Sequence, residues 1–255
     1  MRIEDIDPPR EVAGAADDIL RTLEAFELAW DGPVVYQSAR REIYEAASQR
    51  LLADGRAFLC SCTRSELRGE SESVTPYPGT CRGKTRHERA TAVRVRVDGA
   101  TQPFVDGLQG KIVTSLAATS GDYVIWRRDG LPAYHLAVVL DDAAEGVTTV
   151  VRGVDLLAST VAHRHLQATL GVSTPEYLHV PVIVGTDGQK LSKQTGALPV
   201  SVAEPSLVAC RTLAALGAPV PPELRGAPPR ELWAWAVASW RIDGLRGERA
   251  LVEPR

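Results

Sequence analysis

Lys190 and Lys193 stand three residues apart with the hydroxyl of Ser192 between them, in Gly185-Thr186-Asp187-Gly188-Gln189-Lys190-Leu191-Ser192-Lys193-Gln194. A glycine-bearing loop with two ammonium groups suits a polyphosphate whose negative charge grows during displacement. Such a loop can close on the phosphates and open again to release pyrophosphate. The plainer alternative is an exposed loop with two solubilising lysines. Three cysteines, Cys60, Cys62 and Cys81, cluster around a second loop, whereas Cys210 lies alone in an apolar segment. Clustered thiols in a cytosolic protein suggest metal or redox work rather than a disulfide framework. Cys210 reads as a small buried hydrophobe.

Other candidate groups carry less information. Arg82, Lys84, Arg86, Arg89, Arg94 and Arg96 form a local basic stretch opposed only by Glu88. It can contact phosphates or simply be a solvated face. His163-Arg164-His165 sits on a predicted helix, but residues two apart point to different sides, so packing is the better reading. No catalytic histidine is required among His87, His135, His163, His165 and His179.

These groups must be held by an α/β scaffold. Arg2-Ile3-Glu4-Asp5-Ile6-Asp7 reads as an acidic strand end stopped by Pro8-Pro9. Apolar residues at helical spacing run from Val12 to Trp30, ending at Asp31-Gly32-Pro33. A second helix begins near Ser38 and stops at Asp54-Gly55, and Thr63-Arg64-Ser65-Glu66 has the form of a capping box. Residues 69–84 read as a loop. Strand patterns follow at Val93–Val97, Lys111–Val113 and Tyr123–Trp126, with a turn at Asp129-Gly130. After the apolar run Ala133–Leu140 come a strand at Val147–Val151, a helix from about Leu156 to Leu170 closed by Gly171, and a strand at Tyr177–Val184. Strands alternating with helices imply βαβ units and a parallel sheet. The last ~55 residues read as helical, with Leu232, Trp233, Trp235, Ala236 and Trp240 as a packing stripe.

Four ordered segments resemble the class I aminoacyl-tRNA synthetases of glutamyl type. They are the acidic strand end at Arg2–Asp7, the run Ala133–Asp142, Val150-Val151-Arg152-Gly153-Val154-Asp155, and Lys190-Leu191-Ser192-Lys193-Gln194, similar to that class's Lys-Met-Ser-Lys-Ser signature. Asp7-Pro8-Pro9-Arg10 and the short segment after the lysine loop resemble the glutamyl-queuosine tRNA(Asp) synthetases most closely. The resemblance implies a Rossmann-like α/β catalytic domain with a zinc-bearing insertion and a short helical C-terminal tail. It implies ATP-dependent activation of L-glutamate, with Mg2+, and transfer to queuosine in tRNA(Asp). Glu4 would hold the α-amino group of glutamate, and Tyr134 and Arg152 would complete the pocket. Arg152 can grip a substrate carboxylate bidentately, although taken alone such a residue is more often a structural ion pair. Lys193 would contact ATP phosphates, supported by Lys190 and Ser192. Cys60, Cys62, Tyr77 and Cys81 match the family's zinc-site spacing, with fourteen residues between Cys62 and Tyr77 and three between Tyr77 and Cys81. Zinc there would be structural.

The organisation expected is residues 1–59 as part of the catalytic domain, 60–130 as the insertion, 131–200 as its second half, and 201–255 as the tail. The family's His-Ile-Gly-His-like motif lies one strand–helix unit upstream of the acidic strand end, and only three residues precede Glu4 here. The expectation is therefore a domain lacking its first strand–helix unit, either because Met1 stands for an internal codon or because the product is a truncated, inactive tRNA- or nucleotide-binding remnant. A minimal glutamyl-tRNA(Glu) synthetase is the nearest rival enzyme. At 255 residues, 44% hydrophobic, 24% charged and net −3, the composition is that of an ordinary globular protein without a generally basic surface. No apolar run approaches the ~18–20 residues of a membrane span, and the start is no signal peptide. A cytoplasmic monomer is expected.

Overall fold

The computed structural model describes residues 1–68, 76–99, 103–191 and 200–252. Its parallel strands pair in twos. Strand β1 (Arg2–Ile3) runs parallel to β2 (Val35–Tyr36), with Arg2 opposite Val35. Beyond β1 the Asp5 carboxylate accepts the backbone N–H of Ser38 at 2.9 Å and its hydroxyl at 2.5 Å, which pins the acidic strand end to the next element. Helix α1 (Ala15–Ala25) lies between the two strands. It ends sooner than its apolar spacing suggests. Glu27 takes φ 52° and the Leu28 N–H turns back to the Leu23 carbonyl at 2.9 Å, a left-handed cap made without glycine.

Helix α2 (Arg41–Ala53) turns Tyr44, Ser48 and Leu51 inward at four- and three-residue intervals. It is followed by the three-stranded antiparallel sheet of β3 (Ala57–Cys60), β4 (Ala92–Val95) and β7 (Val124–Trp126), in the order β3-β4-β7. Between β3 and β4 sits the short helix α3 (Arg64–Arg68). Its capping box forms as written: the Glu66 N–H donates to Thr63 Oγ1 at 3.2 Å, and the Thr63 N–H donates to Glu66 Oε2 at 2.7 Å. A hairpin, β5 (Phe104–Asp106) with β6 (Gly110–Ile112), and the single turn α4 (Leu116–Thr119) complete this middle section.

The run Ala133–Leu140 becomes helix α5 (Tyr134–Ala144). Leu136, Ala137, Val138 and Val139 are all buried in succession, so the helix is enclosed on every side and shows no alternation of polarity. Next come β8 (Thr149–Gly153), α6 (Leu157–Leu170) and β9 (Glu176–Val180), a parallel βαβ unit in which Arg152 lies opposite His179. Gly171 at φ 71° ends α6. The single strand expected over Tyr177–Val184 divides at Pro181, which has no N–H to give a ladder. Its second part is β10 (Val182–Val184).

One large core joins these parts, with Tyr44, Ile125, Leu136, Val139 and Leu166 near its centre. It also encloses a polar knot. Asp141, fully buried on α5, accepts Gln37 Nε2 at 2.8 Å, Arg40 Nε at 2.8 Å and the Tyr44 hydroxyl at 2.7 Å.

In the tail, α7 (Pro205–Ala215) and α8 (Pro229–Ser239) enclose a second, smaller core around Ala209, Leu213, Leu232 and Ala236. Trp233 donates Nε1–H to the Phe26 carbonyl at 2.8 Å, docking the tail on the end of α1. The tail is not helical throughout: β11 (Ala250–Val252) returns to lie parallel to β10. Backbone pairing to a distant strand leaves little mark in a three-residue segment, which is why the expected helical tail missed it. Among the described residues no helix is long and apolar enough to cross a membrane.

Candidate functional site

An open cleft of about 1180 Å³ runs between the acidic strand end and the middle section, lined by Glu4, Asp7, Tyr134, Cys60, Arg94 and Arg127, among others. At one side Tyr134, the first residue of α5, meets Arg152 from β8. Arg152 Nη1 donates to the Tyr134 hydroxyl at 3.1 Å. Its Nη2 donates to Thr160 Oγ1 at 2.7 Å and to the Leu156 carbonyl at 3.4 Å. His163 Nδ1 lies 3.4 Å from both terminal nitrogens, and His179 Nε2 lies 3.3 Å from Nε. Every partner is neutral. Among the described residues no carboxylate stands within ion-pair distance of Arg152. Arg152 therefore forms no structural ion pair with the described residues.

The imidazoles around Arg152 are held uncharged. Burial pushes the His163 imidazole well below its ordinary value, helped by His135, Arg152 and His179. Burial, with Arg152, lowers His135 to about 4. His179 is also lowered, because burial outweighs the opposing pull of Asp106. A cation ringed by neutral acceptors keeps its charge available to a further anion.

Glu4 lies across the same cleft. Its carboxylate is 41% exposed and sits 3.4 Å from Arg2, which also binds Asp142 at 2.8 Å and Glu145 at 3.0 Å. Arg2 is thus shared among three acids. Partial burial raises the Glu4 carboxyl above its usual range despite Arg2, with Asp142 and Asp141 adding to the rise. Burial raises the Tyr134 phenol; Arg152 opposes that shift and Glu4 adds to it, which places all three candidate residues within one electrostatic neighbourhood.

Lys190 sits at the base of the lysine loop. The turn closes through Gly185 N–H to the Gln189 carbonyl at 2.9 Å and Leu191 N–H to the Ile183 carbonyl at 3.0 Å. Lys190 Nζ pairs with Asp155 at 2.6 Å, and that contact chiefly holds the Asp155 carboxyl below its usual range. Ser192, Lys193 and Gln194 lie outside the described residues.

The thiol cluster forms the opposite wall. Cys60 ends β3, and the Sγ atoms of Cys60, Cys62 and Cys81 all fall within 4.8 Å of one another. Cys62 and Cys81 sulfurs are 3.5 Å apart. The Tyr77 hydroxyl lies 3.4 Å from Cys60 Sγ and 3.9 Å from Cys62 Sγ, and it accepts the Cys81 N–H at 2.9 Å. Zinc–thiolate bonds of about 2.3 Å in a tetrahedron put sulfurs about 3.8 Å apart, so this set fits zinc with small adjustment. Burial raises the Cys62 thiol, reinforced by Cys81 and Cys60. Burial acts upward on Cys81 as well, but hydrogen bonds from Ser61, Tyr77 and the other thiols outweigh it and draw Cys81 down. Arg128 steadies the knuckle by donating to the carbonyls of Ser61 at 2.9 Å and Cys62 at 2.7 Å.

The basic stretch is largely engaged within the molecule. Arg82 grips Asp122 through Nε at 2.7 Å and Nη2 at 2.5 Å, Arg89 pairs with Glu66 at 2.9 Å, and Arg96 donates to the Arg82 carbonyl at 2.9 Å. Arg94 stacks over the Tyr77 ring at 4.2 Å. Lys84 and Arg86 are exposed. Sequence reasoning also missed Asp106, Thr160 and His179 around Arg152, and Arg2 beside Glu4. The alternating pattern of β9 marks His179 as inward-facing, the one signal available for it.

Residues 1–206 match the family model described as tRNA synthetases class I (E and Q), catalytic domain. The glutamyl-Q tRNA(Asp) synthetase of Ectopseudomonas mendocina is 46% identical over 253 residues, covering 99% of this chain and 85% of the relative. That of Aromatoleum aromaticum is 50% identical over 246 residues, covering 95% of this chain and 78% of the relative. A glutamate tRNA ligase from Elizabethkingia meningosepticum, solved in complex with its amino acid, superposes with a TM-score of 0.78 at 22% identity, over 99% of this chain and 60% of that one. That likeness concerns the fold. The chain belongs to the class I glutamyl- and glutaminyl-type tRNA synthetases, within their glutamyl-Q tRNA(Asp) synthetase branch.

Proposed function

We propose that this chain activates L-glutamate with ATP and transfers it to queuosine in tRNA(Asp). The observation that carries the reading is Arg152, a cation surrounded by neutral acceptors beside Tyr134, which lines the cleft together with the Glu4 carboxylate. An amino acid with a second carboxylate fits that charge pattern: a carboxylate pairs with the Arg152 charge and the ammonium meets Glu4. The glutamate carboxylate would attack the α-phosphate of ATP with departure of pyrophosphate. Catalysis then rests on positioning and charge stabilisation, without a covalent enzyme intermediate. Lys193 would contact the phosphates, with Ser192 beside it and Mg2+ sharing the charge. Lys190, paired with Asp155, would anchor the loop.

Cys60, Cys62 and Cys81, with the Tyr77 hydroxyl as fourth donor, would hold one zinc ion as a structural centre. Zinc would fix the knuckle that walls the cleft. The reading places the protein in the cytoplasm as a monomer. Its test is transfer of labelled glutamate to queuosine-containing tRNA(Asp), queuosine-free tRNA(Asp) and tRNA(Glu), using this chain and a version extended upstream by one strand–helix unit. Labelling of queuosine-containing tRNA(Asp) alone is the expected result. Labelling of tRNA(Glu) would make it a minimal glutamyl-tRNA(Glu) synthetase, and labelling of none by a folded, zinc-loaded protein would leave a binding remnant.

A further inference from the structure

Three fully or almost fully buried polar side chains stand behind Arg152 without touching the cleft: Asp106, Thr160 and His179. Asp106 comes from β5 in the middle section, Thr160 from α6 and His179 from β9, so three separate elements converge. Asp106 Oδ1 accepts the backbone N–H groups of Leu108 at 3.0 Å, Gln109 at 2.8 Å and His179 at 3.1 Å. These donors favour the ionised carboxylate. Its other oxygen, Oδ2, lies 2.5 Å from His179 Nδ1. An ionised carboxylate only accepts, so Nδ1 must carry the imidazole proton. Nε2 is then a bare lone pair, 2.9 Å from Thr160 Oγ1 and 3.3 Å from Arg152 Nε.

Every proton in the chain has one consistent direction. Arg152 donates from Nε to His179 and from Nη2 to Thr160, while the Thr160 hydroxyl donates onward to His179 Nε2. The Nε/Nη2 edge of the guanidinium is thereby fixed, and its plane is set relative to Tyr134. Were His179 protonated on Nε2, a donor would face the Arg152 donor and the guanidinium would have to turn.

We propose that Asp106, His179 and Thr160 are positioning residues that orient Arg152 for a substrate carboxylate, with Asp106 selecting the Nδ1–H tautomer of His179. The inference rests on the glutamate-binding reading of Arg152 and adds to it the groups that set its geometry. It also gives the β5–β6 hairpin a part in the pocket, although Asp106 touches no substrate.

The test combines nitrogen-15 spectra of labelled histidine with calorimetric titration of glutamate into the zinc-loaded protein. Wild-type His179 should be protonated on Nδ1. In Asp106→Asn the new amide can donate to Nδ1, so the ring should change to the Nε2–H tautomer and glutamate should bind at least 10-fold more weakly. Thr160→Val should weaken binding severalfold, and Thr160→Ser, which keeps the hydroxyl, should restore it. That threonine pair decides the matter if Asp106→Asn fails to fold. A wild-type Nε2–H tautomer, a tautomer change without loss of affinity, or a Thr160→Val affinity within twofold of wild type would each overturn the proposal. If wild-type protein binds no glutamate, the functional reading itself falls, while the tautomer measurement still reports on the network.

Discussion

Mild acid should destabilise this protein before its carboxylates begin to titrate, because four of its imidazoles are held below their ordinary pKa. His135, His163, His165 and His179 are all shifted down, and burial is the leading cause for each. For a histidine depressed in the fold, the unfolded chain binds the proton first. Stability is therefore complete above the unfolded value near 6.5 and is lost as pH falls toward the folded value. His135 moves from 6.5 to about 4, and at 1.36 kcal/mol per pH unit it alone removes about 2 kcal/mol between pH 6.5 and 5. His163, more deeply buried, is shifted in the same direction and acts in the same sense. The raised Glu4 carboxyl acts in the opposite sense, since its ionised form is disfavoured in the fold, but it is one group against four. Asp106, Asp155 and Glu66 are shifted down, and their losses belong below the unfolded carboxylate values near 4.

The assay is urea unfolding followed by circular dichroism at pH 7.5, 6.0 and 5.0, with His163→Asn as the comparison. The asparagine oxygen can still accept from Arg152 but cannot titrate. Wild type should lose at least about 2 kcal/mol between pH 7 and 5, and the variant's slope should be shallower. An unfolding free energy that stays level from pH 7 to 5 would refute the argument, because it would mean these imidazoles titrate alike in the folded and unfolded states.

Two further outcomes follow from the site. Arg152→Lys cannot reach Tyr134, Thr160 and His163 together and loses the planar fork, so glutamate affinity should fall roughly 10- to 100-fold by calorimetry. An unchanged affinity would remove Arg152 from the pocket. Cys81→Ser should abolish stoichiometric zinc in metal analysis and lower the melting temperature, and chelation of wild type should do the same. Cys210→Ser should retain the metal, since Cys210 packs in the separate core of the tail.

Local signals in the sequence were legible where one short segment carries the whole physical cause. Thr63 and Glu66 satisfy each other across three residues. Gly171 ends α6 because it adopts a left-handed conformation, and the three thiols announce their own chemistry. The α/β alternation was also readable, giving the parallel pairing of β8 with β9. Distant pairings left no such mark. Asp141 meets Gln37, Arg40 and Tyr44 across about a hundred residues, and β11 finds β10 across the whole tail. Glu27 shows a different limit: the left-handed cap uses a residue that sequence reasoning does not associate with it, so α1 was read as too long. At the candidate site the residues facing the cleft were legible through their motifs. The supports behind Arg152 were not, because no single segment contains them.

Gly107 tests how firmly the middle section and the proposed substrate pocket are joined. It follows Asp106 at the hairpin turn, and its N–H donates to the Tyr177 carbonyl on β9 at 2.8 Å. A Cβ built there would lie 2.7 Å from Leu178 Cγ, closer than real contacts allow. Gly107→Ala must therefore displace either the hairpin or Leu178, at a cost of about 1–3 kcal/mol for overpacking. If the hairpin moves, the Asp106 carboxylate moves with it relative to His179, and glutamate affinity should fall beyond what any change in melting temperature explains. The thiol knuckle that ends β3 should keep its proposed metal, because the hairpin is not hydrogen-bonded into the β3-β4-β7 sheet. A variant that binds glutamate as wild type does would show that Leu178 yields instead, and that the hairpin is packed against the pocket without setting its geometry.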